Sequence, residues 1–181
     1  MARLVYQLRI TLAEVDPPVW RQVAVPGGYT LDRVHRVVQL AMGWQDCHLH
    51  SFEIDGVQYG VPDPDGELEV RDELDVRLDA VVGKDSRLRY TYDFGDWWDH
   101  ELEVVGIHPA DPDERYPRCL SGARACPPED VGGAAGYARF LAAVTDPGDP
   151  EHLAMREWLG RRYDPDDFDP DRASALLRRM A

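Results

Sequence analysis

Lysine is nearly missing from this chain: it carries 19 Arg and a single Lys, Lys84. The bias runs along the whole chain, which fits a GC-rich coding preference better than a site built from arginine. Cysteine is scarce as well. Three in 181 residues is an odd, low count and excludes a disulfide framework. Catalytic templates are absent too. There is no Gly-x-Ser-x-Gly, no His-Glu-x-x-His, no P-loop and no Gly-x-Gly-x-x-Gly after a strand, so the common hydrolase, zincin and nucleotide-binding signatures have no support. No run of about 18 apolar residues exists, so no membrane-spanning helix is expected. The opening residues Met1 to Gln7 alternate polar with apolar and lack the apolar stretch of a signal peptide, so a cytoplasmic chain is expected.

Acid is what the chain has in excess. Against 20 basic residues stand 34 acidic ones, a net charge of −14. Such a chain repels nucleic acid and anionic lipid, so neither direct DNA binding nor membrane association is expected; a basic protein or peptide is the partner the charge favours. Apolar residues make up 44%, enough for a sizeable core.

The patterning predicts an α+β fold. An antiparallel sheet of about five to six strands packs on a helix in the N-terminal half, followed by a helical C-terminal segment. The chain is read as one domain, 1–181. Residues 1–107 are mainly sheet plus one long helix, 108–133 are irregular, and 134–181 are helical. Leu4, Tyr6, Leu8, Ile10 and Leu12 are spaced by two, as in a half-buried strand, and Val19, Arg21, Val23 and Val25 repeat the pattern after the Asp16-Pro17-Pro18 turn. Thr30 reads as an N-cap for a helix in which Leu31, Val34, Val38 and Met42 share a face, with Gly43 as its stop. Asp55-Gly56 is a two-residue hairpin signal between Leu49–Ile54 and Val57–Tyr59. Arg87–Tyr92 and Glu101–Ile107 form a further strand pair. Seven Asp-Pro steps punctuate the chain, and those at 149, 164 and 169 separate the C-terminal helices. Asp63-Pro64-Asp65-Gly66-Glu67 imitates the start of a calcium loop. Counted from Asp63, however, the sixth residue is Leu68 and the twelfth Leu74, where an EF-hand needs Gly and Glu, so a solvated acidic loop is expected.

Three clusters could carry chemistry. The densest is Tyr92-Asp93-Phe94-Gly95-Asp96-Trp97-Trp98-Asp99-His100-Glu101, which sets carboxylates, a His and two Trp around a glycine between two strands. Paired carboxylates with a His suit acid–base work or a metal, and Asp93, Asp96 and His100 are the candidate catalytic residues. The alternative is a plain strand connection whose Trp residues cap the core. The second cluster is Cys47-His48-Leu49-His50-Ser51-Phe52, where alternation would place His48 and His50 on one strand face. The third runs from Arg118-Cys119 through Arg124, Cys126 and Glu129-Asp130 to Gly132-Gly133. Six residues separate Cys119 from Cys126, too many for a zinc knuckle. A composite zinc site drawn from His48, His50, His100, Cys119 and Cys126 is the metal reading; buried reduced Cys and hydrogen-bonded core His is the plainer one.

At these clusters the chain resembles the plasmid pRiA4b Orf3-like family. The resemblance rests on Pro17-Pro18-Val19-Trp20-Arg21, Ala41-Met42-Gly43-Trp44, His48-Leu49-His50-Ser51-Phe52, Tyr90 to His100 and Gly122 to Gly133, in that order along the chain. It implies an α+β fold with an antiparallel sheet on helices. It carries no family-wide activity, although some members are labelled transposon passengers or resolvase-like, which implies an association with mobile elements.

Two functions follow. The first is a non-catalytic recognition or accessory module that binds a protein or peptide at a groove rimmed by Trp44, Phe52, Trp97 and Trp98, with Arg124 and Glu129 as polar contacts. The second is a metal-assisted or acid–base enzyme of hydrolase type using Asp93, Asp96 and His100, with His48, His50 and Glu129 closing the pocket and zinc as the implied cofactor. Convergence of these side chains on one cavity would favour the enzyme.

Overall fold

The computed structural model describes residues 3–62 and 69–180. The acidic loop expected at Asp63–Glu67 lies outside them. The strands are β1 (Leu4–Leu12), β2 (Trp20–Pro26), β3 (His50–Ile54), β4 (Val57–Gly60), β5 (Val70–Asp72), β6 (Arg87–Tyr92), β7 (Trp98–Pro109) and β8 (Arg118–Ala123). The helices are α1 (Leu31–Met42), the single turn α2 (Leu78–Val81), α3 (Gly133–Thr145), α4 (His152–Leu159) and α5 (Pro170–Leu177). No described helix is long and apolar enough to cross a membrane.

The strands form one eight-stranded sheet in the order β5-β4-β3-β6-β7-β1-β2-β8. Only β4 and β5 pair in parallel; the other neighbours are antiparallel. The α+β class holds, but the sheet is mixed and larger than the five to six strands expected. Two of the extra strands explain the difference. β5 is three residues long, too short to show alternation. β8 falls in the stretch read as irregular; Arg118-Cys119-Leu120-Ser121-Gly122-Ala123 has no polar–apolar alternation. Its strand identity comes from outside, from the ladder to β2 on one edge and from α5 packed against it.

The remaining elements follow their local chemistry. Leu8, Ile10 and Leu12 of β1 are fully buried at every second position, and Leu88, Tyr90 and Tyr92 of β6 continue that face. α1 lays Leu31, Val34, Val37, Val38, Ala41 and Met42 on it. Each such side chain contributes about 1.5–3 kcal/mol when withdrawn from water. Gly43 ends α1 in the left-handed region at φ 110. Thr30 makes no side-chain cap to the backbone of α1; its hydroxyl bonds the Asp32 carboxylate instead. Asp55 and Gly56 both take positive φ, the geometry of a tight hairpin turn. Asp169 caps α5 with Pro170 at its first turn.

Two buried polar side chains hold the layers together. Arg21 of β2 is 1% exposed. Its Nε donates to the Ala41 carbonyl at 2.8 Å and its Nη2 to the Met42 carbonyl at 3.3 Å, both in the last turn of α1, where carbonyls lack helical partners. Its Nη1 donates to Trp20 and Ala123 carbonyls, each at 2.8 Å, and the guanidinium lies 3.8 Å above the Phe168 ring. His100 of β7 is wholly buried. The Trp44 indole donates to its Nε2 at 3.2 Å, so its proton sits on Nδ1, which donates to the Trp98 carbonyl at 3.0 Å. Burial pushes the His100 pKa down to about 4, against opposing hydrogen bonds to backbone carbonyls.

Two outcomes follow. Arg21→Met leaves buried carbonyls unpaired, at about 1–3 kcal/mol each. Its unfolding free energy in urea should therefore fall by about 3 kcal/mol or more, with Arg21→Lys intermediate. A loss under about 1 kcal/mol would contradict the role given to Arg21. His100 supplies a pH dependence. Its folded pKa lies below its unfolded value near 6.5, so the unfolded chain takes up the proton first. The stability it supplies is complete above pH 6.5 and is lost as pH falls through 6.5 toward 4. Between pH 7 and 4.5 the wild type should lose about 2–3 kcal/mol more than His100→Gln. Equal losses would show that His100 is not held neutral.

Candidate metal centre

Three connections meet at one end of the sheet. The first follows α1 and carries Cys47 and His48. The second is the turn between β6 and β7, which carries Asp93. The third links β8 to α3 and carries Glu129 and Asp130. They converge on one atom. His48 Nε2 lies 3.3 Å from Asp130 Oδ1, 3.7 Å from Asp93 Oδ2 and 3.9 Å from Glu129 Oε2. Ligand atoms of Cys47, His48 and Glu129 also lie within 4.8 Å of one another.

Each carboxylate is aimed by its backbone neighbours. Asp93 adopts φ 58, a conformation that Asp tolerates better than most residues. Its Oδ1 accepts from the Gly95 N–H at 2.9 Å, which leaves Oδ2 to face His48. Glu129 Oε1 accepts from the Gln45 N–H at 2.7 Å and from the Tyr92 hydroxyl at 3.2 Å. Tyr92 in turn accepts from the Cys47 N–H at 3.1 Å. Burial pushes the Tyr92 phenol far up, so it remains a donor to Glu129. The result is a carboxylate with one oxygen fixed and the other, Oε2, buried and without a hydrogen-bond partner among the described residues. His48 Nε2 is buried and unpartnered in the same way. The Asp93 and Glu129 side chains are each 9% exposed, while that of Asp130 is 72% exposed. The cluster is closed on the protein side and open to solvent beside Asp130.

The other expected site residues lie elsewhere. Of the catalytic set, only Asp93 reaches the cluster. Asp96 instead accepts from the Gly132 N–H at 2.9 Å, tying the β6–β7 turn to the start of α3. His100 is sealed beneath Trp44, with both ring nitrogens engaged, and offers no free nitrogen to a substrate or a metal. The five-residue zinc set does not assemble. His48 precedes β3 rather than continuing it, so alternation does not put it beside His50. The His50 Nε2 bonds Glu73 Oε2 at 2.9 Å, and its ring stacks on His35 at 3.5 Å. Burial lowers the His35 pKa, and its Nε2 bonds Asp46 Oδ1 at 2.8 Å. Cys119 is buried, its Sγ donating to the Ser121 and Gln22 carbonyls at 3.5 and 3.6 Å. Burial pushes the Cys119 and Cys126 thiols up, away from the thiolate that a metal needs.

The expected aromatic groove is also not there. Trp44, Phe52 and Trp98 are core residues, 5%, 0% and 1% exposed, packed against Tyr92, Tyr90 and Tyr137. Trp97 alone of the four is at the surface, with Phe94 beside it at 5.9 Å. Arg124 pairs with Asp166 at 2.6 Å and ties the end of β8 to the loop before α5. Two members of the cluster, Cys47 and Asp130, stood inside the quoted motifs without being chosen. The available signal was adjacency: each neighbours a chosen residue, His48 or Glu129, in a segment that cannot continue a strand or a helix.

The chain is similar to known proteins over most of its length. Residues 4–172 match the family model for the plasmid pRiA4b ORF-3-like protein. Protein y4hQ of Sinorhizobium fredii is 39% identical over 163 residues, which cover 88% of this chain and 83% of that one. The crystal structure of MM3350 from Methanosarcina mazei Go1, described as a protein of unknown function, superposes with a TM-score of 0.87 at 33% identity, covering 94% of this chain and 98% of that one. The chain therefore belongs to the plasmid pRiA4b ORF-3-like family.

Proposed function

We propose that this protein is a divalent-metal protein whose centre is held by His48 and Glu129, with Asp93 and Asp130 as neighbouring carboxylates, and that the centre serves metal-assisted hydrolysis. The observation that carries the reading is the pair of orphaned atoms. His48 Nε2 and Glu129 Oε2 are buried and face each other at 3.9 Å with no hydrogen bond between them or to any other described group. A buried nitrogen and a buried carboxylate oxygen in that state are costly unless a shared partner lies between them. Bonds of about 2.1 Å to a common ion place tetrahedral ligands about 3.4 Å apart. The 3.9 Å between His48 and Glu129 is close to that spacing; the ligand atoms of Cys47, His48 and Glu129 form one set within 4.8 Å of one another, and those of His48, Asp93 and Asp130 a second that shares His48.

Charge supports the same reading. Three carboxylates near His48 carry a formal −3, which a divalent cation reduces to −1. One imidazole with carboxylate oxygens suits zinc, manganese or ferrous iron. Gln45 and Tyr92 orient Glu129 as outer partners of a ligand do. Exposure at Asp130 leaves a side from which water and a substrate can reach the centre. A metal held there supplies a Lewis acid and an acidified water, the requirements for hydrolysis.

Recognition of a protein or peptide is the second reading, favoured by one observation. Trp97 is 61% exposed with its backbone at φ 57, a conformation that costs a bulky residue energy and keeps its indole turned outward next to Phe94. Such a surface suits an accessory role near the centre more than it replaces the centre.

Protein purified without chelator, or reloaded with zinc or manganese, should hold about one ion per chain by native mass spectrometry and elemental analysis. His48→Ala and Glu129→Gln should each weaken binding by about 100-fold or more. His50→Ala and Cys119→Ser should keep the wild-type stoichiometry. Wild-type protein that takes up neither ion at 100-µM-scale concentrations, roughly the weak end of specific sites, would sink the metal reading and leave recognition.

A further inference from the structure

Cys47 is the exposed one of the three cysteines, and it stands beside the two orphaned atoms. The backbone on either side of it is anchored. The Asp46 N–H donates to Gln39 Oε1 at 2.9 Å, and Asp46 Oδ1 is bonded to His35 Nε2 at 2.8 Å. The Leu49 carbonyl accepts from the Asp93 N–H at 2.8 Å. Between these anchors the Cys47 N–H donates to the Tyr92 hydroxyl at 3.1 Å, and Cys47 Sγ lies 3.7 Å from the same oxygen. Tyr92 also donates to Glu129 Oε1 at 3.2 Å, so one hydroxyl sets the thiol beside the carboxylate. Ligand atoms of Cys47, His48 and Glu129 lie within 4.8 Å of one another. An independent observation points to a ligand here: the Glu129 side chain is only 9% exposed, and its Oε2, like His48 Nε2, has no hydrogen-bond partner among the described residues.

We infer that Cys47 is the third ligand of the centre, bound as a thiolate, and that the centre is therefore a Cys-His-Glu zinc site rather than a manganese site. The inference rests on the metal reading of His48 and Glu129. The nitrogen of His48 that faces Glu129 also faces Asp130 at 3.3 Å and Asp93 at 3.7 Å. One imidazole nitrogen binds one ion, so the two sides compete for it. Imidazole with two carboxylates suits manganese as well as zinc, whereas a thiolate in the set selects zinc. Two arguments favour the Cys47 side. Only there does the orphaned Glu129 Oε2 gain a partner, while Asp130 is 72% exposed and solvated without an ion. Charge closes there too: one thiolate and one carboxylate neutralise a divalent cation, and neither Asp93 nor Asp130 is needed on it. Binding breaks the Cys47 S–H bond, forms a sulfur–zinc bond and releases one proton to solvent. Three protein ligands leave tetrahedral zinc one position for water, as in catalytic zinc sites.

The test loads full-length protein with cobalt(II), which occupies tetrahedral zinc sites and reports sulfur ligation through a thiolate-to-cobalt charge-transfer band in the near ultraviolet. Wild type holding one cobalt per chain should show the band, Cys47→Ser should lose it, and Cys119→Ser should keep it. In competition with a chromogenic chelator, Cys47→Ser should bind zinc about 100-fold more weakly than wild type, while its manganese affinity changes by less than about threefold. Cys47 is exposed, and an unchanged melting temperature of the metal-free variant would show an intact fold; the wild-type band decides without any variant. Cobalt bound at one per chain with no such band, or zinc affinity unchanged in Cys47→Ser, would overturn Cys47 as a ligand and leave His48 and Glu129 as the centre. Failure of the metal reading looks different: wild type then takes up neither cobalt nor zinc, and the assignment of Cys47 falls with it.

Discussion

The grip of Arg21 on the carbonyls of its neighbours is the contact on which the rest of the site depends. Two of the connections that form the centre begin at residues it holds. Ala41 and Met42 end α1 just before the segment carrying Cys47 and His48. Ala123 ends β8 just before the segment carrying Glu129 and Asp130. One guanidinium therefore fixes the starting points of both, using donors that the last helical turn lacks. The third connection, the β6–β7 turn, is fixed by the sheet and by Asp96 bonded to Gly132. Irregular backbone is ordinarily mobile. Here each irregular segment is clamped at its root, so side chains distant in sequence hold a common geometry.

Within that frame the polar groups divide by burial. His100, Tyr90 and His35 lie deep, their pKa values moved by burial in the direction that keeps each neutral. They bond one another, backbone carbonyls and the side chains of Gln39, Trp44 and Asp46. A group of carboxylates stands at the sheet end, where Asp93 and Glu129 face His48 and Asp130 meets solvent. Tyr92 connects the two zones: its ring is core and its hydroxyl steers Glu129. Among the described residues of this acidic chain, carboxylates gather around the unpartnered nitrogen of His48. That sets this acidic group apart from the solvated acids elsewhere on the surface.

Much of the fold was legible because it follows local periodicity. α1, the Asp55-Gly56 hairpin, β6 and the Asp-Pro starts of the C-terminal helices stand where spacing and turn chemistry put them. β8 was not, because its identity comes from β2 and α5 rather than from its own residues. The site was legible in its pieces. Asp93, His48 and Glu129 were each singled out, but more than 30 positions separate each from the next, and pattern alone does not pair segments so distant. It also could not show that the Trp44 indole fills the lone pair of His100, or that His50 turns away to Glu73. The aromatic rim failed for a related reason. Trp next to Trp does not reveal which ring enters the core, and only the left-handed backbone at Trp97 sends one outward.

The central claim is that one cation belongs between His48 Nε2 and Glu129 Oε2. Crystals grown from protein loaded with zinc, measured on both sides of the zinc absorption edge, test it directly. The account predicts a single anomalous peak within about 2.0–2.2 Å of His48 Nε2 and of Glu129 Oε2. A map with no peak there, and with His48 turned to bond a carboxylate directly, would contradict it and make the cluster an ordinary ion pair.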